Sequence, residues 1–355
     1  MAPETDAVGF VHCAGSGAAL SGVLRAAFGT LTALAVIGCV STTLAYFFST
    51  PAWLAQLSPF RVQYAALLAV HVLFCLATRH PRWATFFAVF AALNLGAVLL
   101  PCATSRAATA APDTRQPPLR VLLANVLTSN RDPAPLLALI AQEKPDLIAL
   151  LEINQRWETE LTAALLTTYP HLFSRPREDN FGIAVFSRQP LGGERVEFFA
   201  GDELPSLALY LALGDGGGPP LRVLVTHPLP PGRTETTILR NQHLADLVDW
   251  TRSAATASLA FAAEPSPAPP PLLILGDLNA TPWCPPLRRL LAATSLRPAA
   301  RGHAIVAATW PAQVPFLRIP LDHALLNDEL ICTAYRVGPD IGSDHFPVLL
   351  EIRRR

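Results

Sequence analysis

The chain has 355 residues, 51% of them hydrophobic and only 15% charged, with 27 basic and 27 acidic side chains and a formal net charge of zero. It is too apolar and too weakly charged for an ordinary soluble protein, and with balanced charge nothing at whole-chain level suggests a nucleic-acid-binding tail. The six cysteines (Cys13, Cys39, Cys75, Cys102, Cys284, Cys332) form no CxxC spacing and no disulfide framework; a single bridge between Cys284 and Cys332 stays open beside the reading as structural thiols.

The apolar excess lies at the front of the chain. Residues 27–48 and 84–102 carry no charge, and the run 64–77 extends at both ends to about 60–78. About 20 apolar residues suffice to cross a bilayer as a helix, so residues 1–102 read as a membrane region with three spans at 27–48, 60–78 and 84–102. A cleaved signal peptide is the rival reading for the first span. Its apolar run is long for that role, and Arg25 is the only basic residue before it. Arg79 and Arg82 lie between the second and third spans, whereas only Arg61 edges the turn between the first and second. The positive-inside rule then puts the N-terminus and residues 79–83 in the cytoplasm. Everything after residue 102 falls outside, which in a bacterium is the periplasmic side of the inner membrane. Residues 103–118, rich in Ala, Pro, Thr and Arg, read as a tether.

Residues 119–355 alternate between two periodicities. Strands are predicted at 119–126, 146–153, 181–188, 195–200, 207–213, 220–228, 271–278, 321–328 and 346–352. Helices are predicted at 133–145, 156–170, 234–257 and 285–294. "GDGGGPP" (214–220) is a turn and "EPSPAPPP" (264–271) a proline-rich surface insertion. Several strands follow one another directly, so the pattern predicts mixed sheets with helices outside rather than a doubly wound parallel sheet.

Strand after strand ends in a polar group. Asn125 closes the first and Glu152 the second, His227 ends another, and "LLILGDLNATP" ends in Asp277 and Asn279. Asp322 opens a late strand, and Asp344 and His345 precede the last. Each has a bland alternative: turn chemistry for Asn125, Asp277 and Asn279, helix capping for Glu152, a structural role for His227, pairing with Arg318 for Asp322. Recurrence favours a site at one rim of the sheets. Carboxylates and amide carbonyls are hard ligands suited to Mg²⁺ or Mn²⁺, with imidazoles left for proton transfer and charge stabilisation. No GxSxG nucleophile is present, and the histidines are too dispersed for a zinc site.

"NV" (125–126), "DLIALLE" (146–152), "GIAVFSR" (182–188), "VTHP" (225–228), "GDLNATP" (276–282), "LDHAL" (321–325) and "GSDHFPV" (342–348) occur in an order that resembles the endonuclease/exonuclease/phosphatase family. The resemblance covers about residues 119–353. It implies an α+β, four-layered α/β sandwich of two packed mixed sheets flanked by helices, behind the transmembrane region. Carried over position by position, it implies Glu152 as principal metal ligand, with Asn125 beside it as a further metal and phosphate contact and Asp344 as a second metal or water-orienting carboxylate. Asp277 resembles the residue that orients or deprotonates the attacking water, and Asn279 the phosphate-binding amide. His345 resembles the imidazole facing the transition state, Asp322 the carboxylate holding it, and His227 the histidine near the leaving group or phosphate. Leu151 replaces the family's usual Gln before the metal Glu.

The substrate stays open. A membrane-anchored, Mg²⁺-dependent phosphodiesterase or nuclease is one reading, a lipid or phosphomonoester phosphatase on the same site a second, and a non-catalytic membrane binding protein a third. Residues 119–355 hold 21 Arg and Lys against 24 Asp and Glu, a net of −3, which does not suit tight sequence-independent binding of nucleic acid. Arg240, early in the long helix, is a candidate phosphate contact or a solvated helix position. Trp283 could stack a base, wedge into lipid or simply pack. The expected partners are a phosphoester substrate (nucleic acid or a phospholipid head group) and the bilayer; no protein partner is implied.

Overall fold

The computed structural model describes residues 15–48, 50, 52–103, 117–201, 203–213, 218–257 and 269–355. Most of the expected tether at 103–118, and most of the turn at 214–220 and of the insertion at 264–271, lies outside these residues.

The front of the chain forms helices α1 (Gly15–Phe47), α2 (Ala52–Leu57), α3 (Arg61–Ala77) and α4 (Pro81–Ala103), with a 3-10 turn at Ser58–Phe60 between α2 and α3. Ala26–Phe47, Ala52–Ala77 and Pro81–Leu100 are long and apolar enough to cross a membrane. Small or flat side chains meet inside this bundle: Ala35, Cys39, Cys75, Ala84 and Ala91 pack around Leu68 and Phe87. Thr42 and Asn94 bond each other across α1 and α4 at 2.8 Å, the kind of polar link helices use where no water is present. Leu34, Ile37, Leu73, Leu93 and Leu100 point outward and are exposed, as expected of a surface that lipid solvates. The second apolar stretch starts earlier than its sequence suggested, with α2 and the turn ahead of α3.

The remaining residues form two six-stranded sheets. One runs in the order β11 (Leu330–Val337), β12 (Val348–Arg354), β1 (Leu119–Asn125), β2 (Leu147–Leu151), β4 (Ile183–Ser187), β3 (His171–Arg175). The other runs β5 (Leu191–Phe198), β6 (Pro205–Leu211), β7 (Leu221–Val225), β8 (Leu272–Asp277), β10 (Asp322–Leu326), β9 (Arg297–Pro298). Side chains alternate across each strand, and both faces are covered. Val121, Leu123, Val223 and Leu275 meet between the sheets. Leu122, Ile148 and Phe186 pack outward on α5 (Ala134–Glu143) and α6 (Gln155–Leu165) through Leu139, Trp157 and Leu161. Leu224, Ile274 and Leu325 pack on α7 (Thr234–Ala257) and α8 (Pro285–Ala293) through Leu244, Leu247 and Leu287. The result is helix, sheet, sheet, helix. Coverage on both faces is why the central strands read as unbroken apolar runs.

β3, β9 and β11 had no predicted counterpart. β3 and β9 are edge strands of mixed exposure. β11, also an edge, breaks its alternation with a register shift between Cys332 and Ala334.

Within each sheet one central pair is parallel, β1 with β2 and β7 with β8. Parallel neighbours end at the same rim, so these four strands finish together. β10 runs antiparallel to β8 and starts where β8 stops, with Asp322 paired directly opposite Asp277.

Candidate active site

Glu152 follows β2 in the left-handed region (φ 62°), a conformation uncommon for a residue with a Cβ. Its neighbours hold it there. Thr128 Oγ1 donates to the Glu152 carbonyl at 2.9 Å, the Thr128 amide donates to Oε2 at 3.3 Å, and Asn125 Nδ2 donates to Oε1 at 2.9 Å. Burial pushes the Glu152 carboxyl above its ordinary value, against the pull of His227 and the Asn125 bond.

The second sheet supplies the facing group. Asp277, 2% exposed, ends β8 and accepts the Asn279 amide at Oδ1 (2.9 Å). Its Oδ2 lies 3.5 Å from both His227 Nε2 and His345 Nε2. His345 Nδ1 lies 2.7 Å from Asp322 Oδ2. Burial alone would drive the His345 imidazole toward its neutral form, but the Asp322 and Asp277 carboxylates outweigh it and raise its pKa to about 10. Conversely, burial raises the Asp277 carboxyl, and His345 and His227 more than offset this and hold it low. At neutral pH His345 is therefore an imidazolium facing an ionised Asp277.

Glu152, His227, Asp277, Asn279 and His345 line one cleft of about 580 Å³, with Phe181 and Trp310 among its walls. Among the described residues, no Arg or Lys lines it. Asn279, at φ 48°, is fixed by a bond from Nδ2 to the Pro228 carbonyl at 2.9 Å.

Two expected residues, Arg240 and Asp344, lie off the cleft wall, and Asn125 stands beside Glu152 as expected. Arg240 is 2% exposed; its guanidinium donates to the Asn279 carbonyl and, at 2.9 Å, to Asn241 Oδ1. It braces the Asn279 turn from behind and does not line the cleft. Asp344 is not among the residues that line the cleft: the Trp310 indole donates to its Oδ2 at 3.0 Å, and its Oδ1 is buried without a hydrogen-bond partner among the described residues. Asn125 is buried with its carbonyl oxygen accepting the Leu127 amide at 3.1 Å, and its contribution is the bond to Glu152. Arg318 points to the Ala312 carbonyl and the Phe346 ring, so the alternative pairing with Asp322 does not occur. Cys284 and Cys332 are free thiols. Thr128, Phe181 and Trp310 were missed. Only Thr128, three residues after Asn125, carried a local signal.

Gly276 shows how tightly this rim is built. A Cβ there would lie 2.0 Å from the Thr226 carbonyl oxygen, a contact with backbone that no rotamer can relieve. Gly276→Ala is expected to destabilise the protein by about 2 kcal/mol and to cut turnover about tenfold or more by displacing Asp277. Thermal unfolding and rate measurements on the purified variant check it; unchanged values would mean the strands separate freely.

The family model described as "Endonuclease/Exonuclease/phosphatase family" matches residues 122–345. The chain belongs to that family. Family members are phosphoester hydrolases, generally dependent on a divalent metal. A search of curated protein sequences finds no match. Solved structures with the same fold include the human Nocturnin catalytic domain with bound sulfate, at 18% identity and TM-score 0.52, covering 68% of this chain and 96% of that one. A humanized D. rerio TDP2 (14% identity, TM-score 0.52) covers 66% and 99%. The mannosyl-6-phosphatase of Bacteroides thetaiotaomicron (15% identity, TM-score 0.52) also covers 66% and 99%. At these identities the likeness is one of fold. In the endonuclease/exonuclease/phosphatase frame, the donor set fits a divalent cation. Asp277, Asp322 and His345 bring candidate ligand atoms within 4.8 Å of one another, and Asp322 Oδ1 is buried without a hydrogen-bond partner among the described residues. An imidazolium hydrogen-bonded to Asp322 and ion-paired with Asp277 is a poor ligand, so the carboxylates are the better donors.

Proposed function

We propose that this chain is a membrane-anchored, divalent-metal-dependent phosphohydrolase that cleaves phosphoesters by attack of water on phosphorus. The observation that carries the reading is the convergence of Glu152, Asp277 and His345 in one cleft, with His345 held by Asp322. Glu152 and Asp277 would hold Mg²⁺ or Mn²⁺, whose charge would neutralise a phosphoryl oxygen. Asp277, kept ionised by two imidazoles, orients the attacking water and accepts its proton. His345, charged and fixed by Asp322, donates to the phosphoryl oxygens where negative charge grows. Asn279 adds an amide donor, and His227 stands beside the leaving group. The three spans would place this unit on the non-cytoplasmic face of a bacterial inner membrane, because Arg79 and Arg82 cap the opposite end of the bundle.

The direct test is turnover of bis(p-nitrophenyl) phosphate by the full chain in detergent. Activity with Mg²⁺ or Mn²⁺, lost on chelation and regained on adding the ion back, is expected. Turnover that survives exhaustive chelation would overturn the metal-dependent reading.

Arg240 gives a separate prediction. Because it braces Asn279 rather than touching phosphate, Arg240→Met is expected to lower kcat about tenfold while leaving the salt dependence of KM unchanged. A flattened salt dependence in the variant would restore the direct phosphate contact.

A further inference from the structure

The catalytic cleft is not closed by the two-sheet unit alone. Gln56, Pro59 and Phe60, from the start of the second apolar stretch ahead of α3, line it together with Glu152, His227, Asp277 and His345. The segment is fastened there. The Trp283 indole donates to the Pro59 carbonyl at 3.0 Å, and Ser58 Oγ meets Cys284 Sγ at 2.9 Å. Gln56 Nε2 donates to the Pro231 carbonyl and Gln63 Nε2 to the Arg318 carbonyl, both at 3.0 Å. Ser58, Trp283 and Cys284 are each buried to 3% exposure or less, so this is a packed interface.

Its position follows from helix length. α3 has 17 residues and at about 1.5 Å each reaches about 25 Å, short of a hydrocarbon core of about 30 Å. Residues 52–60 must then sit in the outer edge of the bilayer or at its head groups. Tyr46 and Val98 mark the same end of the bundle, and they share a cavity with the exposed Arg288 and Arg289 of α8. Arginines at that level attract anionic head groups.

The cleft's chemistry agrees with this placement. Phe60, Phe181, Pro230, Pro231, Ile319 and Leu321 give it apolar walls above the catalytic carboxylates and imidazoles, and among the described residues no Arg or Lys lines it to follow a phosphate backbone. A polynucleotide needs cationic contacts along its backbone. An amphiphile needs a polar floor and an apolar flank. Resting on the hydrolase reading above, we propose that the substrate is a phosphoester lipid carried in the bilayer, and that Phe60 and its neighbours in the membrane segment form the wall against which the lipid's apolar part lies.

The test uses the full chain reconstituted in phosphatidylcholine vesicles carrying phosphatidic acid or phosphatidylglycerol, with bis(p-nitrophenyl) phosphate and single-stranded DNA assayed on the same preparation. Release of phosphate or head group from a vesicle lipid is expected at a kcat/KM above that for either soluble substrate. In Phe60→Ala the ratio of lipid to diester kcat/KM is expected to fall about tenfold, the scale of one lost apolar pocket contact. Taking the ratio cancels any loss of folded protein. Diester or DNA turnover with no vesicle turnover overturns the proposal, as does an unchanged ratio in Phe60→Ala. A wild-type chain that turns over none of the substrates with metal present removes the hydrolase reading itself, and this inference with it.

Discussion

Glu152→Gln is expected to lower kcat about 10³-fold while the protein stays folded. The substitution keeps shape and removes charge. The amide oxygen can still accept the Asn125 bond, and only the long contact from the Thr128 amide is lost. Burial already disfavours the ionised Glu152 carboxyl, and among the described residues no Arg or Lys lines the cleft beside it. Because burial outweighs the pull of His227 and of the bonds to this carboxylate, exchanging it for an amide should leave stability unchanged or improve it. What disappears is the strongest oxygen donor on the first sheet, and with it the affinity for a hard cation. Two measurements separate the causes. Isothermal titration with Mn²⁺ should show affinity weakened by at least about tenfold, and thermal unfolding without metal should be unchanged or shifted upward. Wild-type turnover in Glu152→Gln would refute its assignment as principal ligand. A large fall in Tm without metal would instead make Glu152 a structural residue.

The parts of this molecule that were legible in its sequence share a physical cause. A strand covered on both faces must be apolar at every position, so β1, β2, β8 and β12 stand out as runs, and the polar residues that stop them stand out equally. Asp277 and Asp322 were found in this way, and the β8–β10 register sets them opposite each other. What stayed hidden depends on direction in space. Arg240 lies on a helix with one buried face, and a charged residue near a candidate site reads as a contact. Only packing reveals that its guanidinium turns beneath Asn279. Asp344 and His345 are adjacent in sequence, yet His345 lines the cleft while Asp344 lies off it and accepts the Trp310 indole. Trp283 offered three readings. Its indole proves to join two parts of the chain separated by 224 positions, and nothing local in either part signals so long a contact. The edge strands β3 and β11 were invisible for the opposite reason, since a half-exposed strand lacks the unbroken run that marks a central one.

His345→Ala is expected to cost both activity and stability, in a pattern that identifies its role. The imidazolium lies between Asp322, at 2.7 Å, and Asp277, at 3.5 Å, and all three side chains are buried. Deleting it leaves two carboxylates without their shared countercharge in a low-dielectric site, a loss of about 3 kcal/mol. A domain of ordinary stability survives this with a lowered Tm. Catalysis should fall about 10³-fold, because a charged donor aimed at the phosphoryl oxygens is gone. Asp322→Asn offers the graded comparison: it keeps a hydrogen-bond partner for the ring but withdraws the charge that holds it protonated, so its rate should fall between those of wild type and His345→Ala. Added Mg²⁺ distinguishes the electrostatic account from simple loss of packing. If repulsion between the bared carboxylates is what destabilises His345→Ala, the ion should raise the variant's Tm by more than it raises that of wild type. An equal rise in both, together with wild-type turnover, would reduce His345 to a packing residue.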